Sequence, residues 1–229
     1  KALTAGDLDG DGDLDLAVAN FGSNSVTILK NDGTGVFTVF STLSGFDGAS
    51  ALVSGDWDDD GDLDLAVANF GANTVAVLEN DGTGSFATAS TLPGMVGARA
   101  LAAGDWDHDG DLDLAVGNSG ANTVVILKND GTGAFTPSST LFGQVGVAAL
   151  ASGDWDSDGD QDLAVANFSS NSITVLRNNG TGSFLLLSAV GGQIGISALA
   201  AGDWDGNGYL DLAAADNGSD SVHILTNQP

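Results

Sequence analysis

The stretch GDWDDDGDLDL (residues 55–65) returns with small changes at a fixed interval of 49 residues, as GDLDGDGDLDL (6–16), GDWDHDGDLDL (104–114), GDWDSDGDQDL (153–163) and GDWDGNGYLDL (202–212). A period of that length marks an array in which each unit is one supersecondary structure that buries its apolar faces against its neighbours. In the second copy Asp56, Asp58, Asp60 and Asp64 fall at loop positions 1, 3, 5 and 9, with Gly61 at position 6. Position 7, Asp62, can add a backbone carbonyl. Oxygen donors converging in this way suit a hard cation. Calcium accepts six to eight oxygens in an adaptable shell, whereas magnesium demands near-octahedral geometry and keeps its waters. Gly61 turns the chain back toward the ion, at a positive φ that a residue without Cβ adopts freely.

Electrostatics argues against a plain polar turn. Two carboxylates about 4 Å apart repel by roughly 1 kcal/mol in water and about 4 kcal/mol at an effective dielectric of 20. A loop holding four of them needs a counter-ion to stay closed. An EF-hand is excluded because it requires a bidentate Glu at position 12, where Val18, Val67, Val116, Val165 and Ala214 stand. The nonapeptide β-roll is excluded by the period.

Around the loop the repeat reads as four short strands. Ala51-Leu52-Val53 leads in, and Leu63 to Asn69 leads out with Leu63, Leu65 and Val67 on one face and Ala66 and Ala68 on the other. Phe70-Gly71-Ala72-Asn73 turns, Thr74 to Leu78 forms a third strand, Asp81-Gly82 signals a hairpin, and a fourth strand starts near Phe86. Strands that are apolar on both faces must stack face to face. The expected fold is therefore all-β: a five-bladed β-propeller with blades at 1–49, 50–98, 99–147, 148–196 and 197–229, in a single domain. The last blade ends after Ser221 to Leu225 and lacks its outer strand, which leaves an unpaired edge open to strand exchange with another chain.

The pattern ALxxGDWDxDGDLDLAVAN…NTVxVLxNDGTGxF resembles the FG-GAP/VCBS repeat of integrin-α-like propellers along the whole chain. The resemblance implies calcium ligands at Asp7, Asp9, Asp11 and Asp15, at Asp105, Asp107, Asp109 and Asp113, and at Asp154, Asp156, Asp158 and Asp162. In the fifth copy it implies Asp203, Asp205, Asn207 and Asp211, a set one charge poorer and the weakest of the five. Position 7 of these copies is Asp13, Asp111, Asp160 and Tyr209. The chain lacks the Gly-Ala-Pro element of integrins, and Phe-Gly survives only at Phe21-Gly22 and Phe70-Gly71, so an integrin-like partner is not implied.

Composition agrees with this reading. The 229 residues carry a formal charge of −26, which disfavours nucleic acid and anionic membrane surfaces as partners. Of 31 acidic residues 24 lie in the five loops, so the acidity is ligand chemistry, and up to five calcium ions would offset ten charges. With no cysteine there is no disulfide, thiolate or zinc-thiolate chemistry. The sequence contains no apolar run long enough for a transmembrane helix and shows no leader before Lys1, and calcium loops of modest affinity suit millimolar calcium, so an extracellular, secreted or surface setting is expected.

A nucleophile or general base would require a singular constellation, and the chain offers only His108, His223, Glu79 and Tyr209, so a non-enzymatic binding or adhesion module is expected. A self-assembling filament or surface-layer subunit is the first alternative. A lectin, or the accessory domain of a polysaccharide-degrading enzyme, is the second, with carbohydrate stacked on Trp57, Trp106, Trp155 or Trp204. These four tryptophans recur in register with Leu8, as packing residues would. Expected partners are calcium ions, carbohydrate or a surface protein, or further copies of the chain.

Overall fold

Alternating small and β-branched residues with glycine turns produce strands and nothing else in the computed structural model, which describes residues 2–228. Blade 1 is built from β1 (Ala2–Gly6), β2 (Asp15–Asn20), β3 (Ser25–Asn31) and β4 (Phe37–Ser44), and blade 2 from β5 (Ala49–Gly55), β6 (Asp64–Asn69), β7 (Thr74–Asn80) and β8 (Phe86–Pro93). Blade 3 holds β9 (Ala98–Gly104), β10 (Asp113–Asn118), β11 (Thr123–Lys128) and β12 (Thr136–Phe142). Blade 4 holds β13 (Val147–Gly153), β14 (Asp162–Asn167), β15 (Ser172–Asn178) and β16 (Phe184–Gly191). Blade 5 has three strands among the described residues: β17 (Ile196–Gly202), β18 (Asp211–Asp216) and β19 (Ser221–Leu225). Each blade is an antiparallel meander in chain order, so the five-bladed propeller with a short last blade is borne out. Blades 2 to 5 each open one residue ahead of the boundary expected from the repeat. No helix is long and apolar enough to cross a membrane among the described residues.

The expected division of faces is what packs the blades. Leu65 and Val67 of β6 bury themselves against Ala17, Ala19, Val26 and Ile28 of blade 1, while Ala66 and Ala68 receive Leu114 and Val116 of blade 3. Bulky residues of one blade thus fill the shallow alanine face of the blade before it. Two further clusters repeat the pattern between blades 3 and 4 and between blades 4 and 5.

Three smaller devices recur at these junctions. The loop glycine of one blade admits the side chain at loop position 8 of the next: a Cβ on Gly6 would lie 2.6 Å from Leu63 Cδ1, and one on Gly153 would lie 2.8 Å from Leu210 Cδ1. Asn80, Asn129, Asn178 and Asn227 each donate from Nδ2 to the carbonyl at loop position 2 of the preceding blade, namely Leu8, Trp57, Trp106 and Trp155, at 2.8–3.0 Å. The rings of Trp57 and Trp106 meet Phe135 and Phe184 of the following blade edge to face, with centroids 5.6 and 6.2 Å apart.

The first strands pack in the order β1, β5, β9, β13, β17 about a common axis. Blades 5 and 1 do not repeat the junction. Leu14, which stands where Leu63 stands in blade 2, is 62 % exposed, and Trp204 is 47 % exposed where Trp106 is fully buried.

Candidate metal centres

In every blade the loop between the first and second strands begins where the first strand ends at glycine, and its last residue, the Asp at position 9, is the first residue of the second strand. Two left-handed residues make the turn. The position 6 glycines have φ between 87° and 99°, as the ligand geometry demanded. Position 4 is also left-handed, at Asp59, His108 and Ser157 as well as at Gly10 and Gly206, with φ from 58° to 76°. The signal for this in the sequence is the small or polar residue at that place in every copy.

The turn brings three carboxylates together in each blade: Asp7, Asp9 and Asp15; Asp56, Asp58 and Asp64; Asp105, Asp107 and Asp113; Asp154, Asp156 and Asp162; Asp203, Asp205 and Asp211, each triplet offering oxygens within 4.8 Å of one another. Each position has its own task. At position 1 one oxygen is fixed by backbone donors across the turn, as when Gly61 N–H donates to Asp56 Oδ2 at 3.0 Å. At position 9 both oxygens anchor the loop: Asp64 Oδ2 accepts from Trp57 N–H at 3.2 Å and Oδ1 from Asn80 N–H at 2.8 Å. The same pair of bonds recurs at Asp15, Asp113, Asp162 and Asp211. At position 5, Asp11, Asp60, Asp109 and Asp158 accept from the N–H two residues on, and Asn207 does so through its amide oxygen.

Position 7 lies outside the carboxylate cluster. The carboxylates of Asp13, Asp62, Asp111 and Asp160 sit against the hairpin glycines Gly33, Gly82, Gly131 and Gly180, where an added Cβ would come within 2.5–2.9 Å of them. These side chains brace the turn between third and fourth strands, which leaves the backbone carbonyl as what position 7 can offer an ion. Tyr209, at position 7 of the fifth loop, donates its N–H to Asn207 Oδ1 at 2.8 Å.

A bound cation fits this donor set. Asp9, Asp107 and Asp156 at position 3, and Asp56, Asp105 and Asp154 at position 1, each hold Oδ1 buried with no hydrogen-bond partner among the described residues. Buried polar atoms are almost always satisfied, and a carboxylate oxygen that no donor reaches is one a cation can satisfy. When bound, calcium would supply the positive charge that offsets the mutual repulsion of each triplet.

Electrostatics differs from blade to blade through one residue of the third strand. Lys30 Nζ lies 2.9 Å from Asp9 Oδ2; Lys128 Nζ touches Asp107 Oδ2 and lies 2.9 Å from Asp109 Oδ2; Arg177 Nε lies 3.3 Å from Asp156 Oδ2. The same repeat position is Glu79 in blade 2 and Thr226 in blade 5. The hydrogen bond from Lys30 accordingly holds Asp9 below the ordinary carboxylate range, and Lys128 does the same for Asp109. In blade 2, burial and then the charges of Asp60 and Asp56 push Asp58 up. Burial also raises Asp64, Asp113 and Asp162 to about 6, against the hydrogen bonds they accept.

Other residues singled out in the sequence have structural surroundings. Trp57, Trp106 and Trp155 are buried between blades, so their faces are closed to a stacking sugar. Asn69 and Asn167 donate to Thr74 and Thr174 at 3.3 and 2.9 Å and steady the ends of their strands. His108 lies 2.9 Å from Asp160 of the next blade. The inter-blade role of Asn80 and its equivalents was missed, although their recurrence directly before the hairpin turn was visible.

Among solved structures, BBS1N in complex with ARL6DN, soaked with lead, superposes with a TM-score of 0.65 at 16 % identity, over 99 % of this chain and 65 % of that one. The mercury-soaked form of the same complex gives 0.69 at 16 % identity, over 99 % and 61 %. A structural-genomics protein from Lactobacillus plantarum gives 0.69 at 20 % identity, over 93 % and 67 %. At these identities the likeness is one of fold, and the chain spans about two thirds or less of the BBS1N chains. A search of curated proteins finds no match. A model of the FG-GAP-like repeat matches residues 7–67, 56–116, 109–165 and 154–214, each match running from one loop through the next. With its loops, strands and blade junctions all in that register, the chain belongs to the FG-GAP-like repeat family.

Proposed function

We propose that the protein is a calcium-stabilised, non-enzymatic binding module that works outside the cell, secreted or at a surface. The observation that carries the calcium assignment is the set of buried, unpartnered carboxylate oxygens recurring at loop positions 1 and 3. All-oxygen donors in an adaptable turn favour calcium over the softer transition metals, and a structural calcium loop of modest affinity suits the millimolar calcium of extracellular space.

Among the described residues Ser221, His223 and Asp216 lie together in blade 5, but His223 Nε2 faces both Ser221 Oγ, at 3.1 Å, and Asp216 Oδ2, at 3.3 Å. A relay needs the two ring nitrogens to serve the two partners separately. BBS1N, similar in fold, is seen in complex with ARL6DN, and a protein partner suits the exposed blade edges here as well.

A second reading, self-assembly, is favoured by one feature. Beside β19, the outermost described strand of blade 5, a groove of about 160 Å³ lined by Trp155, Val190, Leu212 and Leu225 lies open, and a strand added from a second copy would cover it.

The test is calorimetric. Titration of the chelated, dialysed protein with calcium should show uptake of up to five ions, and chelator should lower the melting temperature by tens of degrees. Ligand binding to the folded state contributes about 2.7 kcal/mol per site at a hundredfold excess over Kd. Absence of calcium uptake, with melting indifferent to chelator, overturns the proposal.

A further inference from the structure

In a chain of near-identical blades, a residue that breaks the repeat without serving the junctions is the place to look for a site. Arg99 is such a residue. It is the second residue of β9, and the other described first strands place Ser50, Ala148 and Ser197 there; Lys1 holds that repeat position in the first copy and lies outside the described residues. The fold therefore does not need a guanidinium at this position.

The remaining described cations, Lys30, Lys128 and Arg177, are each paired with loop carboxylates. Among the described residues Arg99 makes no ion pair, side-chain hydrogen bond or ring contact, and it is exposed. It lines a cavity of about 660 Å³ on the propeller axis, walled by Leu52, Leu101, Leu150 and Leu199 and the alanines between them. Phe21 and Phe70, packed on one another with centroids 6.2 Å apart, stand at the same end. That volume is typical of small-molecule sites, which combine apolar walls with a few placed polar groups.

Charge is partitioned along the strand. Arg99 and the first loop ligand, Asp105, are six residues apart in an extended chain, roughly 20 Å at about 3.3 Å per residue. In a protein of charge −26 no carboxylate side chain lines the cavity among the described residues. Asp216, the last residue of β18 at this end, is already engaged by the N–H groups of Ile194, Gly218 and Ser219.

We infer that the axial cavity binds a small carboxylate with an apolar body, the carboxylate held by the Arg99 guanidinium and the body by the leucine and alanine walls. A guanidinium offers paired N–H donors in a fixed plane that match both oxygens of a carboxylate. The inference goes beyond the loop chemistry, since the two sites occupy opposite ends of the first strands and different variants report on each.

The test uses the calcium-loaded chain with 3-phenylpropanoate and its neutral amide, followed by isothermal titration and by ¹H–¹⁵N spectra. The acid should bind at least tenfold more tightly than the amide, with shifts centred on the Arg99 side chain and on the amides of Leu52 and Leu101. Arg99→Ser installs the residue that blades 2 and 5 already carry there, so melting should be unchanged while the preference for the acid disappears. Arg99→Lys should retain part of it. Equal binding of acid and amide overturns the inference. So do acid binding that survives Arg99→Ser, shifts confined to loop glycines such as Gly61 and Gly110, and no binding of either compound at 10 mM.

Discussion

At the scale of single residues, the five loops are chemically alike and electrostatically unequal, because the third-strand position beside them is Lys30, Glu79, Lys128, Arg177 or Thr226. A tethered cation already 2.9 Å from a ligand carboxylate competes with a free one. Blade 2, with Glu79 there, should hold its ion most tightly among the first four. Reversing a unit charge at such a distance turns attraction for the carboxylates into repulsion, and solvent screening leaves only part of that change at an exposed side chain. Glu79→Lys is expected to weaken one site about tenfold and Lys128→Glu to strengthen another about tenfold. Terbium luminescence with calcium competition reads both.

The raised carboxyls set a pH dependence whose sign follows from linkage. Asp64, Asp113 and Asp162 have folded values near 6, above those of the unfolded chain, so the ion-free protein holds these protons more tightly when folded. That contribution is fully present below about pH 4 and is lost as pH rises through 6. Calcium requires the ionised form, so its stabilisation runs the other way. Melting temperatures of the chelated protein should fall from pH 4 to pH 7, while those of the calcium-loaded protein should rise over the same range. Parallel curves would remove the link between these carboxyls and the ion.

At the scale of the element, the strand pattern was legible because two periodicities coincide. Alternation along each strand placed Leu65 and Val67 opposite Ala66 and Ala68, and the 49-residue interval placed the same faces in every blade; together they require stacking. The gathering of carboxylates from loop positions 1, 3 and 9 was legible for a similar reason, since carboxylates at alternate positions around a glycine have few structural uses. What remained hidden depends on residues 72 apart in sequence. Asn129 reads as a turn residue, yet its Nδ2 reaches the buried carbonyl of Trp57 at 2.8 Å while its own N–H secures Asp113. One side chain therefore couples a blade junction to a loop. Arg99 was equally unreadable, because an exposed arginine on a strand acquires meaning only when the axis it faces is known. Asn129→Ala should leave the Trp57 carbonyl unsatisfied, at a cost of about 1–3 kcal/mol. The loss should appear as a lower melting temperature in calcium, with site number by titration unchanged.

At the scale of the whole molecule, stability should be distributed unevenly around the axis. The second strands of blades 2, 3 and 4 are buried along their whole length, whereas blade 1 leaves Leu14, Val39 and Leu3 exposed and blade 5 leaves Trp204, Val222 and Ile224 exposed. In repeat architectures each unit draws much of its stability from its neighbours, so units with one covered face open first. The tryptophans report on this directly, since one stands in each of blades 2 to 5: Trp57 and Trp106 are 1 % and 0 % exposed, Trp155 7 % and Trp204 47 %. Acrylamide, which is neutral and so indifferent to the acidic surface, should quench the native protein mainly through Trp204. Replacing Trp204 with Phe should abolish most of the quenchable fluorescence, and replacing Trp106 with Phe should leave the quenching curve nearly unchanged while costing about 1–3 kcal/mol of stability through lost packing. If Trp204→Phe leaves quenching as it was, blade 5 is covered in solution, and the junction between the last blade and the first is closed by contacts of the kind that join the other four.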